Sequence, residues 1–172
     1  MLARVFSLLL IVVLQLAFPA GGFAAGTVQN DITRATLIAD TDAIKAGQPF
    51  SIGVLLEPKE GWHSYWENPG DAGLATVLTW SLPQGFSASK TLWPAPERIN
   101  EGPLTIYGYH DTVFLPVTIT PAEALDELQV YTFSVKAEWL ICKDICIPES
   151  ANLEIALPIG SPNTSTNAQW FV

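Results

Sequence analysis

Val130-Tyr-Thr-Phe-Ser-Val-Lys-Ala-Glu-Trp-Leu-Ile-Cys142-Lys-Asp-Ile-Cys146-Ile-Pro148 holds both cysteines of the chain and governs how the rest is read. Odd positions from Tyr131 to Ile141 are Tyr, Phe, Val, Ala, Trp and Ile, whereas even positions from Thr132 to Glu138 are Thr, Ser, Lys and Glu. Side chains alternate faces along a strand, so this pattern predicts a half-buried strand with its odd face inward. Cys142 falls on the even, polar side. Leu153, Ile155 and Leu157 resume the alternation on odd positions, which leaves Cys146 even as well. The reading is a hairpin with both sulfurs on its outer face, outside the core. A register change within Pro148 to Ala151 is the one event that would move Cys146.

A tight Lys143-Asp144-Ile145 loop sets the cysteines opposite one another, at Cα separations of about 4.5–5.5 Å that suit a disulfide. Chain entropy makes such a ring a weak staple. A loop of about five residues contributes ~2 kcal/mol, against ~4.7 kcal/mol for 100 residues. A secreted domain that needs a covalent tie gains more from a long-range bridge. A reversible dithiol is therefore the first reading, and an inert hairpin disulfide is the alternative.

The N-terminus begins with Arg4, continues through an apolar run from Val5 to Phe18 that contains Gln15, and passes into the small-residue segment Pro19-Ala-Gly-Gly-Phe-Ala-Ala25. This is the pattern of a secretory signal peptide, with cleavage expected after Ala24 and Ala25 as the second choice. The run is too short, and too soon followed by Pro and Gly, for a spanning helix, and no other stretch is apolar enough to cross a bilayer. Cleavage leaves 148 of the 172 residues, enough for one domain with a core. Export places the cysteines in an oxidising compartment, where a lone pair is oxidised unless a reductant reaches it. Loss of Arg4 leaves 7 basic side chains against 17 acidic ones, a net charge of −10. That balance argues against nucleic acid or an anionic membrane surface as a partner. The single methionine is the initiator, so a thioether copper(I) site is excluded while thiolates remain.

Turn residues divide the chain into short strands. Ile32 to Ala39 reads as a strand, and Ala46-Gly-Gln-Pro49 turns into the alternating run Phe50 to Leu56. Pro58-Lys-Glu-Gly61 turns again before Trp62-His-Ser-Tyr-Trp66, and Glu67 to Gly73 reads as a long turn-rich loop. Thr76 to Leu82 is a further strand. Ser87 to His110 shows no period and reads as a long irregular segment, of the kind that is functional or covers something. Val113 to Ile119 is a strand whose Pro116 demands an edge or a bulge. Pro121 to Leu128 allows one or two helical turns. Gly160 to Asn167 has the composition of a disordered tail or linker. The final Gln169-Trp-Phe-Val172 is apolar enough to dock. The domain is thus expected over residues 25–160, with residues 161–172 as a tail or linker. About seven short strands without helical periodicity indicate an all-β, immunoglobulin-like β-sandwich.

Several separate motifs then occur in order: Trp66-x-Asn68-Pro-Gly-Asp-Ala-Gly73, Trp80-Ser-Leu-Pro-x-Gly85, Trp93-Pro-x-Pro-x-Arg98, Tyr107-Gly-Tyr109 and Trp139-Leu-x-Cys142-Lys-Asp-x-Cys146. Together they resemble the N-terminal periplasmic domain of DsbD-family disulfide reductases, and the ScsB-like branch in particular. The resemblance implies an immunoglobulin-like domain whose cysteine pair cycles between dithiol and disulfide. It implies a thioredoxin-like domain fed by a DsbD-type transmembrane electron donor, and periplasmic disulfide proteins or cytochrome-maturation partners as acceptors. By the same resemblance, Cys146 carries the mixed disulfide and Cys142 resolves it. A cap loop shields the pair in relatives; its counterpart falls just before Val113 to Ile119, around Leu104 to Tyr109, with Leu104, Ile106, Tyr107 and Tyr109 as shielding residues and Ile106 or Tyr107 covering the sulfurs. The better-known members space their cysteines more widely. The transmembrane and thioredoxin-like parts are not within this sequence, so the chain is a fragment or works with separate proteins.

The chemistry asks for an in-line attack of thiolate on disulfide, with an accessible sulfur and a good leaving thiol. Lys143 favours a Cys142 thiolate and Asp144 opposes it. No cofactor is expected. His63 and His110 with the two cysteines match no zinc spacing and read as surface or loop histidines. Metal binding linked to copper stress is suggested by the ScsB-like branch alone. Trp80 and Trp139 read as core, Trp62, Trp66 and Trp93 as packing beneath the long middle segment, and Asp71, Glu97 and Glu101 as solvated loop charge. The function expected is an exported, periplasmic thiol-disulfide relay, the electron-carrying component of a protein-disulfide reductase. The alternative is a non-catalytic immunoglobulin-like domain with a fixed disulfide.

Overall fold

The computed structural model describes residues 26–171, and the signal peptide read at residues 1–24 lies outside them. The described chain runs through β1 (Thr27–Gln29), β2 (Thr33–Ala39), β3 (Phe50–Pro58), β4 (Ser64–Gly70), β5 (Val77–Ser81) and β6 (Phe86–Ala88). It continues through β7 (Glu97–Glu101), β8 (Leu104–Tyr109), β9 (Val113–Pro121), β10 (Val130–Cys142) and β11 (Cys146–Pro158) to a 3-10 turn at Ala168–Phe171. Three antiparallel sheets result, ordered β1-β2-β3-β9-β6, β11-β10-β5 and β4-β8-β7. The first two face each other across the main core. This is the all-β, immunoglobulin-like sandwich expected from the alternation.

β10 and β11 pair over an unbroken register from Val130↔Pro158 to Cys142↔Cys146. Pro148 and Ala151 stay in step, opposite Leu140 and Ala137, so the parity of Cys146 holds. The odd residues Tyr131, Phe133, Val135, Ala137, Trp139 and Ile141 are all buried in one cluster with Leu37, Ile52, Val54 and Leu115 of the facing sheet. Each such aliphatic or aromatic side chain contributes about 1.5–3 kcal/mol on leaving water. A polar tie also crosses the layers at Trp139. Trp139 Nε1 donates to Thr33 Oγ1 and Glu149 Oε2, both at 3.2 Å, and Glu149 Oε1 accepts from the Ile32 N–H at 3.0 Å.

Pro116 sits in β9 opposite Gly53 of β3, and β6 reaches only Ile119 to Pro121. The Pro116 carbonyl accepts from the Leu92 N–H at 2.9 Å, on the side away from β3. The missing proline N–H therefore falls where no strand is paired, the edge that Pro116 required.

Four stretches differ from the sequence reading. Ser87 to His110 is not irregular throughout, because it holds the β7–β8 hairpin, registered from Glu97↔Gly108 to Glu101↔Leu104. Glu-Arg-Ile-Asn-Glu contains a single apolar residue, Ile99, so no period could emerge from it. Glu67 to Gly70 belongs to β4, where the pairing with β8 shifts between Tyr65 and Gly70. A bulged strand can carry Asn-Pro-Gly, which otherwise reads as a turn. Pro121 to Leu128 forms turns and no helix. Residues 161–167 do not trail free: Asn163 bonds Asp42 through backbone and side chain, and Ser165 Oγ donates to the Ala39 carbonyl at 2.6 Å. Beyond them Phe171, in the apolar end read as able to dock, stacks edge-on against Phe114 at 4.8 Å.

Phe133 is fully buried, with the rings of Phe50 and Phe86 edge-on at 5.4 and 5.1 Å. Phe133→Ala leaves a cavity between the sheets and is expected to lower the unfolding free energy by about 3–5 kcal/mol, read from urea denaturation.

Candidate redox site

Strand parity puts Cys142 on the outer face of β10, yet its side chain is only 2 % exposed. The outward parity read from the sequence holds for Cys142, which lies outside the main core and is covered on that outer face. The third sheet covers it, and Tyr65, Ile99, Ile106 and Cys142 form a small cluster separate from the main core. Cys146 stays exposed at the hairpin tip, next to Ile145, which is 64 % exposed. One cysteine of the pair is covered and the other exposed.

The backbone shows how the cover is attached. Cys142 N–H donates to the His63 carbonyl at 3.0 Å, and His63 N–H donates to the Cys142 carbonyl at 2.9 Å. These bonds join the chain just ahead of β4 to the end of β10. Both polar groups of Cys142 point away from β11, so Cys142↔Cys146 is the narrow, non-hydrogen-bonded type of antiparallel pair. Its Cα atoms lie 4.1 Å apart, and the sulfurs are joined as a disulfide.

His63 and Tyr65 lie on one face of the chain entering β4, aimed at this rung. Tyr65 Oη is 3.9 Å from Cys146 Sγ, His63 Nε2 is 3.3 Å from Tyr65 Oη, and Glu101 Oε1 is 3.7 Å from the same nitrogen. The His110 ring stands 5.5 Å from that of His63 and is itself held by Glu97 at 3.1 Å. Burial lowers the pKa of His63; the Glu101 carboxylate opposes this and His110 adds to it. Burial raises the pKa of Tyr65, and Glu101 raises it further. Gly73, at φ 98°, leaves room for the Tyr65 ring: a Cβ there would lie 2.1 Å from Tyr65 Cε1.

Of the residues expected over the sulfurs, Ile106 is fully buried in the Cys142 cluster. Tyr107 points elsewhere and meets Trp66 edge-on at 6.3 Å. Leu104 is 39 % exposed at the start of β8, outside that cluster. Tyr109 belongs to the main core, where its hydroxyl donates to the Pro94 carbonyl at 2.8 Å. The reading of His63 as a surface or loop residue is corrected, since it is 3 % exposed, whereas His110 is exposed. Glu101 stands beside His63, and Asp71 Oδ2 accepts from the Thr105 N–H at 2.8 Å. Trp62, Trp66, Trp80 and Trp93 are partly buried against the main core, which Trp139 enters. Sequence reasoning missed Tyr65 and Ile99. The spacing of His63 and Tyr65 on one face was the available signal, obscured by the flanking tryptophans.

The two-layer sandwich thus carries a cysteine pair on the outside of a core strand, with Cys142 under a separate small sheet. Residues 34–158 match the family described as thiol:disulfide interchange protein DsbD, N-terminal, and the chain belongs to that family. Among solved structures it is similar to the N-terminal periplasmic domain of ScsB from Proteus mirabilis, with a TM-score of 0.64 and 20% identity over 87% of this chain. The match covers 57% of that chain. The DsbD N-terminal domain of Neisseria meningitidis in its reduced form matches with a TM-score of 0.32 and 16% identity, over 74% of this chain and 89% of that one. No curated protein is similar to it in sequence.

A pH prediction follows from His63. Its folded pKa lies below the ordinary 6.5, so between the two values the unfolded chain binds more protons. That contribution to stability is present above pH 6.5 and is lost as the pH falls below it. Between pH 7 and pH 5 the parent is expected to lose more stability than His63→Gln, measured by urea titrations at each pH.

Proposed function

We propose that this chain is a periplasmic thiol-disulfide relay module that passes two electrons through Cys142 and Cys146 by direct exchange with protein partners. The observation that carries this reading is the asymmetry of the disulfide. Cys146 is open to an incoming thiolate, while Cys142 is held beneath Ile106 and Ile99. Attack in line on Cys146 Sγ by a donor makes Cys142 the leaving thiolate. Once the reduced pair meets an acceptor and Cys146 carries the mixed disulfide with it, Cys142 lies close by to resolve it and release the acceptor reduced. Ile106, rather than Tyr107, is the side chain that limits access to the pair from the β8 side.

Two further features support the relay. The disulfide closes a ring within one hairpin and ties no sheet to another, so the fold does not rest on it. A groove of about 630 Å³, lined by Leu74, Val77, Leu140 and Pro148 among others, starts one outward-facing rung from the cysteines. Leu74 and Val77 are exposed hydrophobics on its rim, suited to a partner docked against Cys146. The donor is proposed to be a thioredoxin-like domain supplied by a DsbD-type transmembrane protein, and the acceptors periplasmic disulfide proteins. Among the described residues no helix is long and apolar enough to cross a membrane.

Cys142→Ala, mixed with an oxidised thioredoxin-like protein, is expected to accumulate a mixed disulfide through Cys146, visible on a non-reducing gel and by intact mass. A potential well below about −300 mV, as in structural bridges, together with no trapped adduct, would overturn the relay in favour of an inert disulfide. In the double variant Cys142→Ser, Cys146→Ser, loss of the short ring is expected to cost about 2 kcal/mol or less in urea denaturation.

A further inference from the structure

We propose that Tyr65 is a catalytic residue of the exchange: its hydroxyl donates a hydrogen bond to Cys146 Sγ and stabilises the thiolate formed there, and His63 and Glu101 hold it in that orientation. This rests on the relay reading above and assigns it three groups besides the sulfurs.

Proton counting carries the assignment. In the disulfide, Cys146 Sγ has no hydrogen, so the contact of 3.9 Å can only be a donation from the Tyr65 hydroxyl. With its one hydrogen directed at sulfur, Tyr65 Oη must act as acceptor toward His63 Nε2 at 3.3 Å. His63 therefore carries its proton on Nε2. The Glu101 carboxylate, which accepts only, stands 3.7 Å from that same nitrogen and favours the same tautomer. The backbone fixes the far end, because the two bonds between His63 and Cys142 tie the imidazole to the rung it serves. Around this chain, His110 and Glu97 form their own pair, and the Lys143 ammonium lies across Gly61, 3.0 Å from where a Cβ would stand.

The hydrogen bond matters most when Cys146 leaves. A donor dithiol first attacks Cys146 Sγ as thiolate; the Cys142–Cys146 bond breaks, and Cys142 departs with the electron pair and takes up a proton. The donor's second thiolate then attacks the donor's own sulfur in the mixed disulfide. That bond breaks toward Cys146, whose thiolate forms against the Tyr65 hydroxyl and is protonated later from solvent. The donor ends as a disulfide and this pair as a dithiol, reduced by two electrons. Tyr65 keeps its proton throughout. A hydrogen bond to an ionised sulfur is stronger than one to the neutral disulfide, so the gain falls on the leaving step.

The test uses the Cys142→Ala chain, in which Cys146 is the only thiol, with iodoacetamide as probe and alkylation rate measured against pH. Tyr65→Phe is expected to leave about tenfold less thiolate at neutral pH by raising the thiol pKa. His63→Leu is expected to give most of that loss, and His63→Gln, which keeps a donor, to restore at least half of it. Melting of each variant reports its folding. Glu101→Gln removes a carboxylate that itself disfavours a nearby anion, so it serves as the charge control and is expected not to reproduce the loss of thiolate seen in Tyr65→Phe. A folded Tyr65→Phe within twofold of its parent overturns the proposal; should that variant not fold, a folded His63→Leu within twofold of its parent overturns it. Alkylation needs no partner, so this result and the mixed-disulfide trap fail independently.

Discussion

The strict two-residue period of β10 is the constraint on which the rest depends. Every odd residue from Tyr131 to Ile141 is needed in the sandwich, so Cys142 must face the other way. A one-residue slip would bring the sulfur into the main core and turn Trp139 and Phe133 out to solvent, at a cost of several kcal/mol of burial. The sandwich therefore enforces an outward cysteine, and the outward face must be covered separately if the sulfur is to be protected. The sheet β4-β8-β7 supplies that cover.

This division keeps stability and chemistry on opposite faces of one strand. The sheets are held by the apolar cluster and by the bond from Trp139 to Thr33 and Glu149, none of which involves sulfur. The cysteine pair can thus change its covalent state without removing a tie between layers. The cover is thin, resting on Ile99, Ile106 and Tyr65, and is joined to β10 by two backbone bonds at His63. The register that frees the Cys142 N–H and C=O for those bonds also makes Cys142↔Cys146 a narrow pair, with Cα atoms 4.1 Å apart. Geometry made for pairing strands thus positions the sulfurs.

The fold was legible wherever burial extended over several residues of one face. β3, β9, β10 and β11 each carry such a run, and the hairpin register could be read through Pro148 because the alternation resumes on the same parity. The cysteines were legible as a pair for the same reason. The cover was not. Glu97 to Glu101 buries a single side chain, and Asn68-Pro-Gly70 is a bulged strand written in turn residues. His63 and Tyr65 look like any polar and aromatic residues between tryptophans, and only their distances to Cys142 and Cys146 mark them.

The sequence by itself determined the sandwich, the hairpin, the outward parity of both cysteines and the family to which the motifs belong, because these follow from local alternation and chain-neighbour geometry. Only the tertiary structure decided that Cys142 is covered while Cys146 is exposed, that Ile106 rather than Tyr107 packs with Cys142, and that Glu101, His63 and Tyr65 line up toward one sulfur. Exposure and hydrogen-bond partners depend on which strands from distant parts of the chain come to lie across a face. The period of a single strand says which way a side chain points, but not what meets it there.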